Sequence, residues 1–132
     1  MQKEIKLADA NPTYAGDKNR IHLGNNVHVG KVYFNTRSGH IYIGEGSMIG
    51  MFSKLITGTH IRKNGKTLRH SVPTSGRDIH IGKGCWITTG VIILGPVKIG
   101  DYCVIGSGSV VNKDIPAGKF AAGVPAKVIG DV

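Results

Sequence analysis

From Ile81 onward an aliphatic residue returns at every sixth position. The chain reads IGKGCW, ITTGVI, ILGPVK, IGDYCV, IGSGSV, VNKDIP, led by Ile81, Ile87, Ile93, Ile99, Ile105 and Val111. If about a quarter of residues in an aliphatic-rich chain are Ile, Leu or Val, such a run has odds of about one in four thousand per starting frame. The fifth positions are Cys85, Val91, Val97, Cys103, Ser109 and Ile115, mostly small or β-branched, and glycine follows the leading residue at Gly82, Gly100 and Gly106. Upstream the pattern recurs as IGEGSM, IGMFSK and LITGTH, led by Ile43, Ile49 and Leu55, with Ser47, Ser53 and Thr59 in fifth place. Weaker hexads start at Leu23 and Val29, and the phase slips by two residues between Asn35 and Ile43.

A six-residue period has a direct physical reading. Side chains alternate along a strand, so first, third and fifth positions share an orientation. A short strand and a glycine-assisted corner turn the chain by about a third of a revolution, and three hexads close one triangular coil. Ile81 is then expected to stack on Ile99, Ile87 on Ile105 and Ile93 on Val111, with neighbouring coils joined as parallel strands. The expectation is an all-β parallel helix of about four coils in a single domain, 1–132. Residues 1–22 form an N-terminal cap, 23–116 the helix, and 117–132 a C-terminal cap containing Phe120, Val124, Val128 and Ile129. So short a stack has exposed ends and slim internal volume, which favours self-association.

The period is interrupted outright from Ile61 to His80. That loop carries Arg62, Lys63, Lys66, Arg69 and Arg77, with Asn64-Gly65 as a turn signal. A long excursion between regular coils is uncommon unless it serves function, although a tolerated solvated insertion is the bland alternative.

Composition agrees with an aliphatic solenoid: 40% of residues are hydrophobic, only 6% are aromatic, and 20 are glycine. The absence of a long apolar run argues against membrane insertion, and the charged start of the chain shows no secretory pattern, so a cytoplasmic location is expected. Cys85 and Cys103 have no metal-binding spacing and sit at inward fifth positions, where core packing is expected. A net charge of +9 favours anionic partners without naming them. Nucleic acid is not expected, because no stacking aromatics are interleaved with the basic residues.

The stretch IGKGCWITTGVIILGPVKIGDYCVIGSGSVVNKDIPAGKFAAGVPAKVI resembles the C-terminal half of hexapeptide-repeat O-acetyltransferases. The nearest types are galactoside and maltose acetyltransferases and the sugar O-acetyltransferases of surface-polysaccharide clusters. LITGTHIRKNGK resembles their catalytic-histidine segment and the extended loop after it. The resemblance runs from about Leu23 to Ile129. It implies a left-handed winding, a homotrimer with active sites in the grooves between prisms, and acetyl-CoA as acyl donor. It implies His60 as the catalytic base, and Trp86, Thr89, Ser107, Asn112, Lys113 and Lys127 as contacts to the donor. Tyr33 and Asn35 fall roughly where acceptor contacts occur. The N-terminal helical segment of the maltose and galactoside enzymes has no counterpart, Gly130 stands where a basic donor contact is common, and the usual Pro-Gly corner is Gly95-Pro96.

Acyl transfer from a thioester to a hydroxyl needs a proton acceptor, stabilisation of the developing oxyanion, and proximity. Histidine suits the first, since its ordinary pKa near 6.5 leaves it free to accept a proton at pH 7. A backbone amide such as that of Thr89 suits the second, and a groove supplies the third. The expected function is transfer of acetyl from acetyl-CoA to a hydroxyl of a sugar or other saccharide, directly in a ternary complex. The alternative is a non-enzymatic trimeric carbohydrate-binding or scaffold β-helix. A γ-type carbonic anhydrase would need a histidine pair five residues apart on one coil edge, which is absent, so no metal is expected. His60, at the sixth position of its hexad, should point outward. His40 is expected near it, as a neighbour, an alternative base or a surface residue. The acceptor stays open between a sugar hydroxyl, an amino sugar, a xenobiotic and serine, as does the partner of the basic loop, an anionic saccharide, a nucleotide-sugar or the phosphates of CoA.

Overall fold

The computed structural model describes residues 11–132. The chain winds into a three-sided column of parallel strands. The first face stacks Thr13–Ala15, Tyr33–Asn35, Lys54–Ile56, Ile92–Leu94 and Val110–Val111. The second stacks Ile21–Leu23, Ile41–Ile43, Ile79–Ile81 and Val97–Ile99, extended by a bridge from Ile99 to Ile115. The third stacks His28–Val29, Met48–Ile49, Trp86–Ile87, Val104–Ile105 and Lys119–Gly123, and Ala126–Asp131 folds back on the last of these as an antiparallel strand. The expected pairs are all present: Ile81 with Ile99, Ile87 with Ile105 and Ile93 with Val111.

The column has about five rungs rather than about four. The extra one lies at the start, because Thr13–Ala15 already pairs with Tyr33–Asn35, and Ile21–Leu23 with Ile41–Ile43. Part of the segment expected to cap the column therefore belongs to it, while residues 1–10 of that cap lie outside the described residues. Thr13–Ala15 has no aliphatic leader, which is why its rung was invisible to the period. At the other end the cap is a hairpin. Ala121 closes the core with no exposed surface, whereas Val124, Val128 and Ile129 stand out from it. The hairpin is clasped by Lys119 Nζ, 2.5 Å from Asp131 Oδ1; that hydrogen bond holds the Asp131 carboxyl below its ordinary range.

The inward columns form one aliphatic core, in which Ile41, Leu55, Ile79, Ile87, Ile93 and Ile105 have no exposed surface. Burying each such side chain contributes roughly 1.5–3 kcal/mol. Cys85 and Cys103 belong to this core as free thiols. The serines at fifth positions are buried too, and each serves two neighbours. Ser47 Oγ donates to Gly82 O (2.7 Å) and accepts from the Cys85 N–H (2.9 Å). Ser53 Oγ does the same with Thr88 O (3.0 Å) and the Val91 N–H (3.2 Å). A buried hydroxyl is tolerated because it replaces a missing coil-to-coil contact. The glycine after each leading aliphatic has a steric cause: a Cβ on Gly44 would lie 2.5 Å from the carbonyl carbon of Gly82 in the next rung.

The two-residue slip resolves into two opposite events. Val29 pairs with Ile49, twenty residues on, but Phe34 pairs with Leu55, twenty-one on, so one residue is missing from the corner between them. The next corner then gains three: five residues, Thr36 to His40, lie between Asn35 and Ile41, where only Gly95 and Pro96 lie between Leu94 and Val97. The long excursion leaves from this same edge one rung later. Twenty-two residues separate Ile56 from Ile79, against those two.

Candidate active site

The excursion departs earlier than the hexad suggests. Thr57 is fully buried and Thr59, expected inward, is half-buried beyond it, so the chain turns outward at Gly58. Thr57 anchors the departure: its Oγ1 donates to Asn35 O (2.8 Å) and accepts from the Ser38 N–H (3.1 Å). Thr59 N–H then reaches Ser38 Oγ at 3.3 Å. Beyond His60, Arg62–Lys63 and Lys66–Thr67 pair as a hairpin around Asn64 (φ 51°) and Gly65 (φ 75°), both left-handed, as the turn signal predicted. The loop rejoins the column before His80. Arg77 donates from its N–H to Ser38 O (3.1 Å) and from Nε to Thr57 O (2.9 Å), and Asp78 Oδ1 accepts from the His40 N–H (2.7 Å).

His60 is exposed, as its position predicted, and lines a pocket of about 280 Å³. Asn35 and Arg37 come from the expanded corner, Gly58 and Thr59 from the departure, and Arg69 and Val72 from the returning limb. Asn35 is tied down on both sides: Oδ1 accepts from the Arg37 N–H (3.1 Å) and Nδ2 donates to Tyr33 Oη (3.4 Å). Residue 58 must be glycine for this amide to sit there, since a Cβ would lie 2.6 Å from Asn35 Oδ1. The structure thus brings His60, Asn35 and, through Asn35, Tyr33 together.

His40 is elsewhere. Its Nδ1 lies 2.9 Å from His22 Nε2, and His22, Tyr42 and His80 stack with ring centroids 4.6 Å apart on the outside of the second face. Sequence reasoning missed this cluster because its members are separated by the slip and the excursion. Their shared outward register appears only once the strands are paired.

The residues matched to donor contacts are not in the His60 pocket. Trp86 is half exposed on the outside of the third face, between Met48 and Val104. Thr89 and Ser107 lie at the corner leading from the third face to the first, where Ser107 Oγ donates to Thr88 Oγ1 (3.0 Å). The amides beside Thr89 are used: Thr88 N–H reaches Ile105 O (3.2 Å) and Gly90 N–H reaches Met51 O (3.0 Å). The Thr89 N–H has no acceptor among the described residues. Asn112 and Lys113 are exposed at the corner after the first face, one rung beyond Gly95-Pro96, and Lys127 is exposed on the terminal hairpin opposite Ala122. The first face lies between the two edges. Its outward side chains include Ile56, Ile92, Leu94 and Val110, all half-buried. Sequence reasoning also passed over Arg37, because nothing in the slip announced which residues it would turn toward His60.

Residues 78–113 match the family described as Bacterial transferase hexapeptide (six repeats). The chain is 41% identical over 112 residues to a putative acetyltransferase of Schizosaccharomyces pombe, covering 80% of this chain and 53% of that protein. It is 36% identical over 126 residues to the galactoside O-acetyltransferase of Escherichia coli K12, covering 92% and 59%. A solved structure of galactoside acetyltransferase in complex with coenzyme A superposes with a TM-score of 0.81 at 29% identity, over 95% of this chain and 61% of that one. The resemblance to hexapeptide-repeat acetyltransferases therefore holds in both sequence and structure, and the column is their left-handed parallel β-helix. The chain spans between half and two thirds of the length of these relatives.

Proposed function

We propose that this hexapeptide-repeat chain is an acetyl-CoA-dependent O-acetyltransferase acting on a hydroxyl of a sugar or saccharide. The observation that carries the reading is the isolation of His60. It stands outside the core, in the lining of a pocket it shares with Asn35 and two arginines. Nothing in the packing of the column requires an imidazole there. The relatives named above, a galactoside acetyltransferase among them, support the reaction class.

The residues divide by role. His60 takes the proton of the acceptor hydroxyl as its oxygen attacks the thioester carbonyl. The new C–O bond forms, the C–S bond breaks, and the proton passes from the imidazolium to the departing thiolate. Asn35, held by Tyr33 and the Arg37 N–H, orients the acceptor. The Thr89 amide, without an acceptor among the described residues, is a suitable donor to the carbonyl oxygen as it becomes negative. Trp86, Ser107, Asn112, Lys113 and Lys127 contact the donor. Thr89 and Ser107 lie at one edge of the first face and His60 leaves from the other. A homotrimer packed through the apolar outside of that face would set one copy's His60 edge against a neighbour's Thr89 edge, forming the site between them. A cytoplasmic location goes with this reading.

Free-thiol release from acetyl-CoA over a panel of saccharide acceptors tests the proposal, alongside the oligomeric state. His60→Ala is expected to lower turnover about 10²- to 10⁴-fold, the usual worth of a general base, while leaving the assembly and its melting temperature unchanged. Undiminished turnover in His60→Ala would remove the histidine from the chemistry. A binder or scaffold would release no thiol with any acceptor.

A further inference from the structure

We infer that the acceptor carries an anionic group, a sugar carboxylate or a phosphate, held by Arg37 and Arg69 while its hydroxyl meets His60; this rests on the transferase reading above. The two arginines line one pocket from separate segments, the expanded corner and the returning limb of the excursion. An adjoining recess shares Arg37 and Val72 and adds Arg20 together with Asp17.

The other arginines here have structural work. Arg20 Nη1 donates to Thr36 O (3.0 Å), Arg62 Nη2 to Gly65 O (3.0 Å) and Arg77 Nε to Thr57 O (2.9 Å). The guanidinium groups of Arg37 and Arg69 bond to nothing among the described residues, and the one ion pair there, Lys119–Asp131, is at the terminal hairpin. Nor does the pocket hold a carboxylate. Asp17 lines only the adjoining recess, where its Oδ1 accepts from the Asn19 N–H (2.8 Å). Like charges gathered without counter-charge repel one another, and an anion relieves that repulsion. Planar guanidinium forks match carboxylate and phosphate oxygens better than they match neutral hydroxyls. At about 280 Å³ the pocket is near the lower end of ligand-site volumes and suits a single sugar residue.

The basic residues matched to the donor, Lys113 and Lys127, lie outside this pocket. The arginines thus extend the acceptor side. Their origin is legible in the coil geometry: the three-residue gain at the Thr36–His40 corner brings Arg37, and the excursion brings Arg69.

The test compares methyl glucuronide, UDP-glucose and methyl glucoside as acceptors, in wild type and in the R37Q, R69Q and doubly substituted variants. Initial rates of thiol release and acceptor binding by saturation-transfer NMR are read in parallel. One anionic acceptor is expected to exceed the neutral one at least tenfold in kcat/KM or in affinity. The carboxylate and phosphate arms tell the two sources apart. The double variant should reduce that preference about 10- to 150-fold, the worth of one hydrogen bond to a charged group, mainly through acceptor KM. Equal use and equal binding of all three acceptors overturns the inference, as does a rise in the KM for acetyl-CoA alone, which would put the arginines on the donor's phosphates. His60-dependent turnover without anionic preference sinks the inference and leaves the transferase reading standing. An arginine-dependent binding preference without any turnover does the reverse.

Discussion

The second half of the column and the edge that carries His60 are built from the same hexads, yet they obey them very differently. From Ile81 to Val111 each rung follows the last by eighteen residues, and every leading side chain falls on its counterpart. Along the edge between the first and second faces, the corner holds five residues in one rung, twenty-two in the next and two in the one after. The regular part is constrained by packing on both sides, since a dropped residue would turn each inward side chain out. The excursion is mostly exposed, so its extra chain costs mainly loop-closure entropy, about 0.6 kcal/mol per doubling of length, whereas the five-residue corner folds onto the column and buries Thr36, Ser38 and Gly39. Variation collects where it is tolerated, and the pocket is made from it.

Three perturbations would break or sharpen this contrast. The largest effect belongs to the regular rungs. Ile93→Ala should cost about 2–5 kcal/mol, because Ile93 is fully buried between Leu55 and Val111 and the coils cannot collapse around the gap. Urea unfolding at fixed protein concentration measures it. A loss below 1 kcal/mol would mean that the rungs are far softer than their packing implies.

Exchange of glycine for alanine comes next. Gly44→Ala forces its methyl against the backbone of Gly82, which two rungs hold in place, and should destabilise by about 1–3 kcal/mol. The nearest atoms to a Cβ on Gly58 belong to the Asn35 side chain, which can shift by giving up its hydrogen bonds to Tyr33 and the Arg37 N–H. The melting temperature of Gly58→Ala should stay near wild type while acetyl transfer falls, because the displaced amide is the one proposed to orient the acceptor. Equal loss of stability in the two variants would dissolve the distinction between rung and corner.

The smallest effect is alkaline. Burial pushes the Cys85 thiol above its ordinary pKa near 9.0. The folded chain keeps that proton where the unfolded chain releases it. The stabilisation is therefore complete below pH 9 and declines as the pH climbs through the folded value. Thermal melts across this range should show a shallower alkaline decline in Cys85→Val, and an unchanged slope would show that the thiol does not ionise differently in the two states.

Much of the fold was readable beforehand because its cause is local and repeated. Ile81, Ile87 and Ile93 stack as their spacing predicts, and Asn64-Gly65 makes its turn. Where leaders fail, as in Thr13–Ala15, the rung is supplied by pairing to a neighbour rather than by a pattern in its own residues. Within the candidate site, His60 was legible because its hexad ends on the outside just where the period stops. Arg37 was not, because one missing residue and three added ones read only as a net slip of two. His40 was drawn toward His22 instead of His60 for a similar reason, since its corner is folded around Asp78 from the far end of the excursion.

By itself the sequence determined the winding unit, the inward columns and the place where regularity is suspended. Those follow from side chains alternating along short strands, a rule that acts between neighbours in the chain. Only the tertiary structure decided which residues share the His60 pocket, since Asn35, His60 and Arg69 are joined by coil stacking across a corner and a loop whose lengths obey no period.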